Sequence, residues 1–273
     1  MRVPNVKMND GREIPQLALG MWRMLIPPST KKAVKIALDT GYTHFDTAQW
    51  YHNEQHLGSA IQQSGINRED LFITTKIKND NQYWDDLIPS VEGSLKKLKT
   101  DYVDLLLIHF PVTETRGPAW RLMEQLHADG RAKSIGVSNY TIRHLEELLK
   151  TCKVKPAVNQ VELHVYLQQP ELVKFCKKHD IVIEAYSPLA HGQRGREDPI
   201  LQSLAKKHGK SVAQIMIRWC IEIGAVPLPK STHKARIGEN LDVFDFKLDS
   251  NDMKQITKLD EDFRTCWDPT NVP

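Results

Sequence analysis

The sequence predicts an α/β protein, a (β/α)8 barrel of the TIM type with an N-terminal β-hairpin and an extra helix before the last strand. Three observations point there. Short apolar runs of β type alternate with segments of helical spacing from one end of the chain to the other. The runs are almost continuously apolar inside, as strands covered on both faces must be. The chain has 273 residues, and a barrel of this kind needs about 250, so residues 1–273 read as one domain.

Taken in order, Val6 to Met8 and Glu13 to Pro15 flank Asn9-Asp10-Gly11, and Asp-Gly favours a hairpin turn because the turn demands positive φ. The eight strand candidates are Leu17 to Gly20, Thr43 to Asp46, Leu71 to Lys76, Val103 to His109, Ala132 to Ser138, Ala157 to Glu162, Ile181 to Ser187 and Ala225 to Pro229. Between them Leu122, Met123 and Leu126, then Ile142, Leu145, Leu148 and Leu149, then Val212, Ile215, Met216 and Trp219 fall at helical spacing. Ser211-Val-Ala-Gln214 has the form of a capping box and starts the extra helix, since Leu201 to His208 already reads as one. The absence of a GxGxxG stretch argues against an open dinucleotide-binding sheet.

Composition removes several classes of function. The net charge is +3, without a run of like charges, which predicts neither a nucleic-acid footprint nor a membrane surface patch. The first residues hold no apolar stretch of signal-peptide length, and no window reaches the ~18 apolar residues of a membrane span, so a soluble cytoplasmic protein is expected. Cys152, Cys176, Cys220 and Cys266 are widely spaced without neighbouring histidines, which predicts reduced thiols and no metal site. No exposed heptad indicates a partner helix, leaving a monomer as the default.

In such barrels the chemistry sits where the strands end. Asp46, Lys76, His109, Ser138 with Asn139, Gln160, Tyr186 and Lys230 stand at those ends, and Tyr51 follows Asp46 in GYTHFDTAQWYHNE. Asp46 beside Lys76 would hold an ammonium against the Tyr51 phenol. A cation about 4 Å away at an effective dielectric of about 20 is worth ~4 kcal/mol. Against an ordinary phenol value of ~10, that is a fall of up to ~3 pKa units before Asp46 offsets part of it, which predicts an acid near neutral pH, suited to protonating a carbonyl oxygen. A neutral His109 would donate a hydrogen bond to the same oxygen. The plainer reading is an Asp–Lys pair with a tyrosine at the rim, and four residues gathered on one face favour catalysis over it.

GYTHFDTAQWYHNE, LFITTK, DYVDLLLIHFP, GVSN, NQVELH, YSPL and PKSTHKARIGEN together resemble the aldo-keto reductases, in that family's order and across essentially the whole chain. The chain looks like a short-looped member, resembling the microbial diketogluconate-type reductases and the protozoan prostaglandin F synthases. The resemblance implies an NADPH-dependent carbonyl reductase with Asp46, Tyr51, Lys76 and His109 as catalytic tetrad and Tyr51 as proton donor. It also implies cofactor contacts. Gly20, Met21 and Asp46 would lie beside the cofactor, and Ser138, Asn139 and Gln160 would hold the nicotinamide carboxamide. Tyr186 would stack on the ring, with Ser187 and Leu189 along the pyrophosphate. Lys230, Ser231, Thr232 and Arg236 would take the 2'-phosphate, and Glu239 and Asn240 the adenine. A dianionic monoester calls for such charge-assisted donors.

The chain departs from common family patterns at Phe110 and Lys78, where tryptophan is frequent, and at Met21, where a small polar residue is frequent. Lys78 reads equally as a cation that favours anionic or polyhydroxylated substrates and as an exposed lysine on the rim. Trp22, Trp50, Lys78 and Phe110 are the candidate pocket residues, and the short segment from Pro111 to Pro118 and the brief tail after Trp267 predict an open pocket for a small-molecule carbonyl substrate. Two other readings stand beside the reductase. One is an NADPH-binding sensor, channel-associated or structural protein with little turnover; the other is a metal-dependent hydrolase using Asp46 and His109, for which further strand-end ligands are lacking.

Overall fold

The Asn9-Asp10-Gly11 turn folds the chain back on itself, with Gly11 at φ 86° and the Met8 N–H donating to the Arg12 carbonyl at 2.8 Å. This joins β1 (Asn5–Lys7) and β2 (Glu13–Pro15) in an antiparallel pair, Val6 opposite Ile14. The structure is a computed structural model that describes residues 3–192 and 194–273. Met8 and Ile14 belong to the same buried cluster as the barrel residues Leu105, Leu107, Val158 and Val182, so the hairpin closes the floor of the barrel.

After the hairpin, strands and helices alternate. They are β3 (Leu19–Gly20), α1 (Pro27–Thr40), β4 (His44–Asp46), α2 (Glu54–Ser64), β5 (Phe72–Ile77), α3 (Trp84–Leu98), β6 (Val103–Ile108), α4 (Arg116–Ala128), β7 (Ala132–Ser138) and α5 (Ile142–Thr151). Then follow β8 (Val158–Glu162), α6 (Pro170–Lys178), β9 (Val182–Tyr186), α7 (Pro199–His208), α8 (Val212–Glu222), β10 (Val226–Pro227), α9 (Lys234–Leu241) and α10 (Ser250–Thr257). Strands β3 to β10 form one parallel sheet in sequence order. The sheet closes on itself. Ala18 N–H donates to the Pro227 carbonyl and Gly20 N–H to the Pro229 carbonyl, both at 3.1 Å.

Each expected strand is present, the outer ones shortened. The sequence suggests Ala225 to Pro229, but β10 covers Val226–Pro227, because Pro227 and Pro229 lack the N–H that would extend a ladder and serve only as acceptors across the seam. β5 runs one residue past Lys76, so Lys76 lies inside the strand rather than at its end. The Ser211 box caps α8: the Ser211 hydroxyl accepts from Gln214 N–H at 3.2 Å and the Gln214 side-chain carboxamide oxygen from Ser211 N–H at 2.9 Å. Among the described residues no helix is long and apolar enough to cross a membrane.

Side chains alternate between the two faces of the sheet. Leu106, Ile108, Ile135 and Val137 join the large cluster under the helices, while Leu105 and Leu107 point into the barrel. The seam leaves no space for a side chain at position 20, where a Cβ would stand 2.5 Å from the Leu228 carbonyl oxygen. Gly20→Ala must therefore push β3 and the chain around Leu228 apart. Its expected cost is about 1–3 kcal/mol, the range for overpacking, read as a lower urea midpoint; an unchanged midpoint would contradict this account of closure.

Candidate active site

β4 delivers His44 and Asp46 to the barrel interior and β5 delivers Thr74 and Lys76 beside them, since Phe45 pairs with Ile73 and Asp46 with Thr74 in the register. The Lys76 side chain is fully buried. Its ammonium donates to both Asp46 carboxylate oxygens at 2.7 Å, to the Thr47 carbonyl at 3.0 Å and to the Tyr51 hydroxyl oxygen at 3.3 Å. An ammonium can only donate, so the phenol oxygen accepts and the Tyr51 proton is left to point elsewhere. Tyr51 occupies a buried 3-10 turn, Gln49–Tyr51, rather than an open polar loop. Its ring lies 4.9 Å from Trp22 and 5.8 Å, edge on, from His109.

Burial and the neighbouring Lys76 hold His109 well below the ordinary imidazole range, so it is neutral, and its Nδ1 is buried without a partner. For Tyr51 the sequence expectation is overturned. Burial, then the Asp46 carboxylate, Cys266 and Glu184, raise its phenol well above the ordinary value. The physical reason is burial foremost, with the Asp46 carboxylate, which grips the Lys76 ammonium with both oxygens, opposing the pull of that cation on the phenol. Tyr51 is a neutral, fully protonated donor at physiological pH.

Beyond this group the Tyr186 hydroxyl donates to the Asn139 carboxamide oxygen at 2.7 Å, while Asn139 Nδ2 donates to the His109 carbonyl at 2.9 Å. Ser138 Oγ donates to the Gln160 carbonyl at 2.8 Å. These residues line a cavity of about 1010 Å³ over the barrel mouth. Trp22, Trp50, Tyr51, His109 and Trp267 line it too, and so do Lys230, Ser231, Arg236, Glu239 and Asn240, around the start of α9. With this geometry in view, the sequence model of the Aldo/keto reductase family is found to match residues 16–261. The chain belongs to the aldo/keto reductase family.

It is 44% identical over 268 residues to a 9,11-endoperoxide prostaglandin H2 reductase of Trypanosoma cruzi, covering 97% of this chain and 95% of that one. It is likewise 44% identical over 267 residues to a glyoxal reductase of Bacillus subtilis, covering 98% and 96%. Among solved structures, an aldo-keto reductase of Bombyx mori in complex with NADP superposes with a TM-score of 0.91 at 36% identity, covering 97% of this chain and 95% of that one.

Most of the residues singled out in this reductase's sequence share the cavity, and five do not; one is Lys76, whose fully buried ammonium lies behind Tyr51 and Asp46. Lys78 lies outside the cavity lining, its ammonium 3.6 Å from Asp80 and its backbone N–H held by the Gln49 side chain. Phe110 packs edge on against Trp267 from behind rather than lining the cavity. Met21 turns its side chain into the core between sheet and helices, and its backbone contacts Asp46 and Asn53. Thr232 stands outside the lining, next to Ser231.

The sequence reading missed Arg23, His191, Arg194, Arg196, Thr265, Cys266 and Trp267, all of which line the cavity. Arg23 was within reach, following Trp22 directly. The others depend on two excursions, after β9 and after α10, that carry no periodic signal. The second is tied down by Glu162 at the end of β8, which accepts hydrogen bonds from Thr265 N–H at 2.8 Å, Cys266 N–H at 3.1 Å, the Thr265 hydroxyl and His164 Nε2. Trp267 is thereby brought 5.7 Å from His109.

Burial alone would raise Glu162, but the hydrogen bonds from His164 and Thr265 outweigh it and hold the carboxyl below its ordinary range. A depressed carboxylate stabilises above its unfolded value, and that contribution is lost as pH falls through the folded one. Glu162→Gln removes the charge and half of the acceptors. Limited proteolysis should then cut between residues 260 and 273 several-fold faster than in the wild type at neutral pH; equal rates would contradict this tether.

Proposed function

We propose that this aldo/keto reductase uses NADPH to reduce small carbonyl compounds, dicarbonyls foremost, to alcohols, with Tyr51 as proton donor and Lys76, Asp46 and His109 supporting it. The observation that carries the reading is the Lys76 ammonium donating to the Tyr51 oxygen at 3.3 Å, which aims the phenol proton at the cavity. The residues around the cavity fit a nicotinamide dinucleotide phosphate. Ser138, Asn139 and Gln160 cluster by Tyr186, and exposed Lys230 and Arg236 stand at the start of α9, where backbone N–H groups and cationic side chains favour a phosphate. When bound, the reduced nicotinamide supplies the hydride.

The protein's own part is to fix the carbonyl oxygen and protonate it. Neutral His109 donates a hydrogen bond to that oxygen and Tyr51 gives it a proton as negative charge develops there. The departing proton leaves charge on the phenol oxygen, which the Lys76 ammonium already contacts. Asp46 keeps the ammonium in place and charged. Trp22, Trp50 and Trp267 supply apolar walls that exclude water and accept flat substrates without many polar contacts. Preference for dicarbonyls is supported by the relative named for glyoxal reduction, and a cytoplasmic setting by the four free cysteines.

The test follows cofactor oxidation with a panel of methylglyoxal, glyoxal, nitrobenzaldehyde and sugar acids, using wild type and Tyr51→Phe. Turnover in the variant should fall about 100- to 10,000-fold, the range for a lost general acid, while NADPH still quenches tryptophan fluorescence. NADPH should be oxidised in preference to NADH. Wild type that binds NADPH yet reduces nothing on the panel, or a variant as fast as wild type, would overturn the reading.

A further inference from the structure

Beneath the tetrad lies a carboxyl group that the mechanism above does not use. Glu184, in the middle of β9, has a fully buried side chain in the barrel interior. Its Oε2 accepts from the Gln160 carboxamide nitrogen at 2.7 Å, and the same nitrogen donates to Asp46 Oδ2 at 2.9 Å. One amide group thus joins the two carboxyls. The other oxygen, Oε1, has no hydrogen-bond partner among the described residues and stands 3.5 Å from His44 Nε2.

The state of that oxygen follows from His44. Its Nδ1 lies 3.3 Å from the Pro15 carbonyl, which can only accept, so Nδ1 carries the hydrogen. Burial foremost, with Lys76 adding to it against the Pro15 contact, lowers His44 to about 3, so the ring carries no second proton. Nε2 therefore presents a lone pair, which the Thr74 hydroxyl approaches at 3.1 Å. An ionised Glu184 would set its own lone pairs against it inside a low-dielectric barrel, where an unpaired charge is expensive. A hydrogen on Oε1 removes that charge and faces, at 3.5 Å, the Nε2 lone pair that the Thr74 hydroxyl also approaches.

We infer that Glu184 is held as a neutral carboxylic acid whose proton points at His44, and that this acid is the positioning residue that keeps Gln160 turned to Asp46 and leaves Tyr51 able to give up its proton. The inference rests on the reductase reading for its consequence, though not for the state of the acid. The charged and titratable groups around Glu184 are His44 and Asp46 from β4, Lys76 from β5 and Tyr51 from the turn after β4, with Gln160 from β8. On the β10 side its backbone is paired with Val226. Burial, reinforced by Asp46, pushes Glu184 up to about 8, while Gln160 and Lys76 pull it down.

With Glu184 neutral, Lys76 and Asp46 balance each other below Tyr51. Ionisation adds a second negative charge, and Glu184 is among the groups that raise the phenol. Proton donation therefore weakens as pH rises through about 8. A carboxyl raised on folding makes its full contribution below its unfolded value and loses it as pH rises toward and through its folded one, so this part of the fold's stability declines up to about 8 and is gone above it.

Infrared spectroscopy of the full chain tests the acid directly. Wild type should show a protonated-carboxyl stretch at neutral pH that fades as pH is raised above about 8, and Glu184→Gln should lack it. In parallel, kcat/KM for methylglyoxal reduction should fall roughly 10-fold more in wild type than in Glu184→Gln between about pH 7 and pH 9, the change produced by one ionisation. Absence of the band from wild type overturns the proposal even if the variant does not fold. Identical alkaline limbs in the two proteins overturn the link to Tyr51. Failure of wild type to reduce methylglyoxal at neutral pH, by contrast, counts against the reductase reading, while the band still reports on Glu184.

Discussion

The ion pair of Asp46 and Lys76 is the constraint around which the mouth of the barrel is arranged. Removing two opposite charges from water costs several kcal/mol per ion, repaid only when their remaining hydrogen-bonding capacity is met. Here it is met closely. Both Asp46 oxygens accept from the ammonium, one accepts also from Gln160, and the two other donor positions of Lys76 go to the Thr47 carbonyl and the Tyr51 oxygen. Such a pair contributes little to stability compared with an apolar core of equal volume. Its value is geometric, because it leaves the phenol a single role in the contact, that of acceptor.

The same pair sets the charge state of its surroundings. Burial, with Lys76 adding to it, keeps His109 and His44 neutral, and burial, with Asp46 adding to it, keeps Tyr51 protonated. The barrel interior thus holds a stack of groups that carry protons without carrying charge, apart from the pair itself. Glu184 extends the stack one layer down. Strands β4, β5, β8 and β9 supply His44, Asp46, Lys76, Gln160 and Glu184, while His109 follows the end of β6 and Tyr51 comes from the turn after β4. The loops contribute walls: Trp22 after β3, and Trp267 on a C-terminal segment pinned by Glu162.

Much of this was legible in the sequence. Asp46, Lys76 and His109 were found because a polar residue closing an apolar run is easily seen, and parallel strands bring such residues together. The capping box at Ser211 and the Asp-Gly hairpin were legible because turn and cap chemistry is local. What the sequence hid was either non-local or a matter of balance. The direction in which Tyr51 shifts depends on burial foremost and on Asp46 opposing Lys76, which no spacing reveals. Lys78 faces Asp80 and Met21 faces the core because of side-chain directions set by the chain around them. Trp267 reaches the cavity through a segment without periodicity. Glu184 did leave a signal, an acid two residues before Tyr186 inside an apolar strand, on the face that period-2 alternation sends into the barrel.

The central claim is that the Lys76 ammonium makes Tyr51 a proton donor, and the chemical step of Lys76→Met tests it most directly. Rapid-mixing measurement of a single turnover, with NADPH-loaded protein and saturating methylglyoxal, separates that step from binding. The account predicts a fall of at least about 100-fold in the rate of NADPH oxidation, with NADPH affinity changed only a few-fold, as for loss of a group acting on the proton donor. A chemical step within a few-fold of wild type would contradict it.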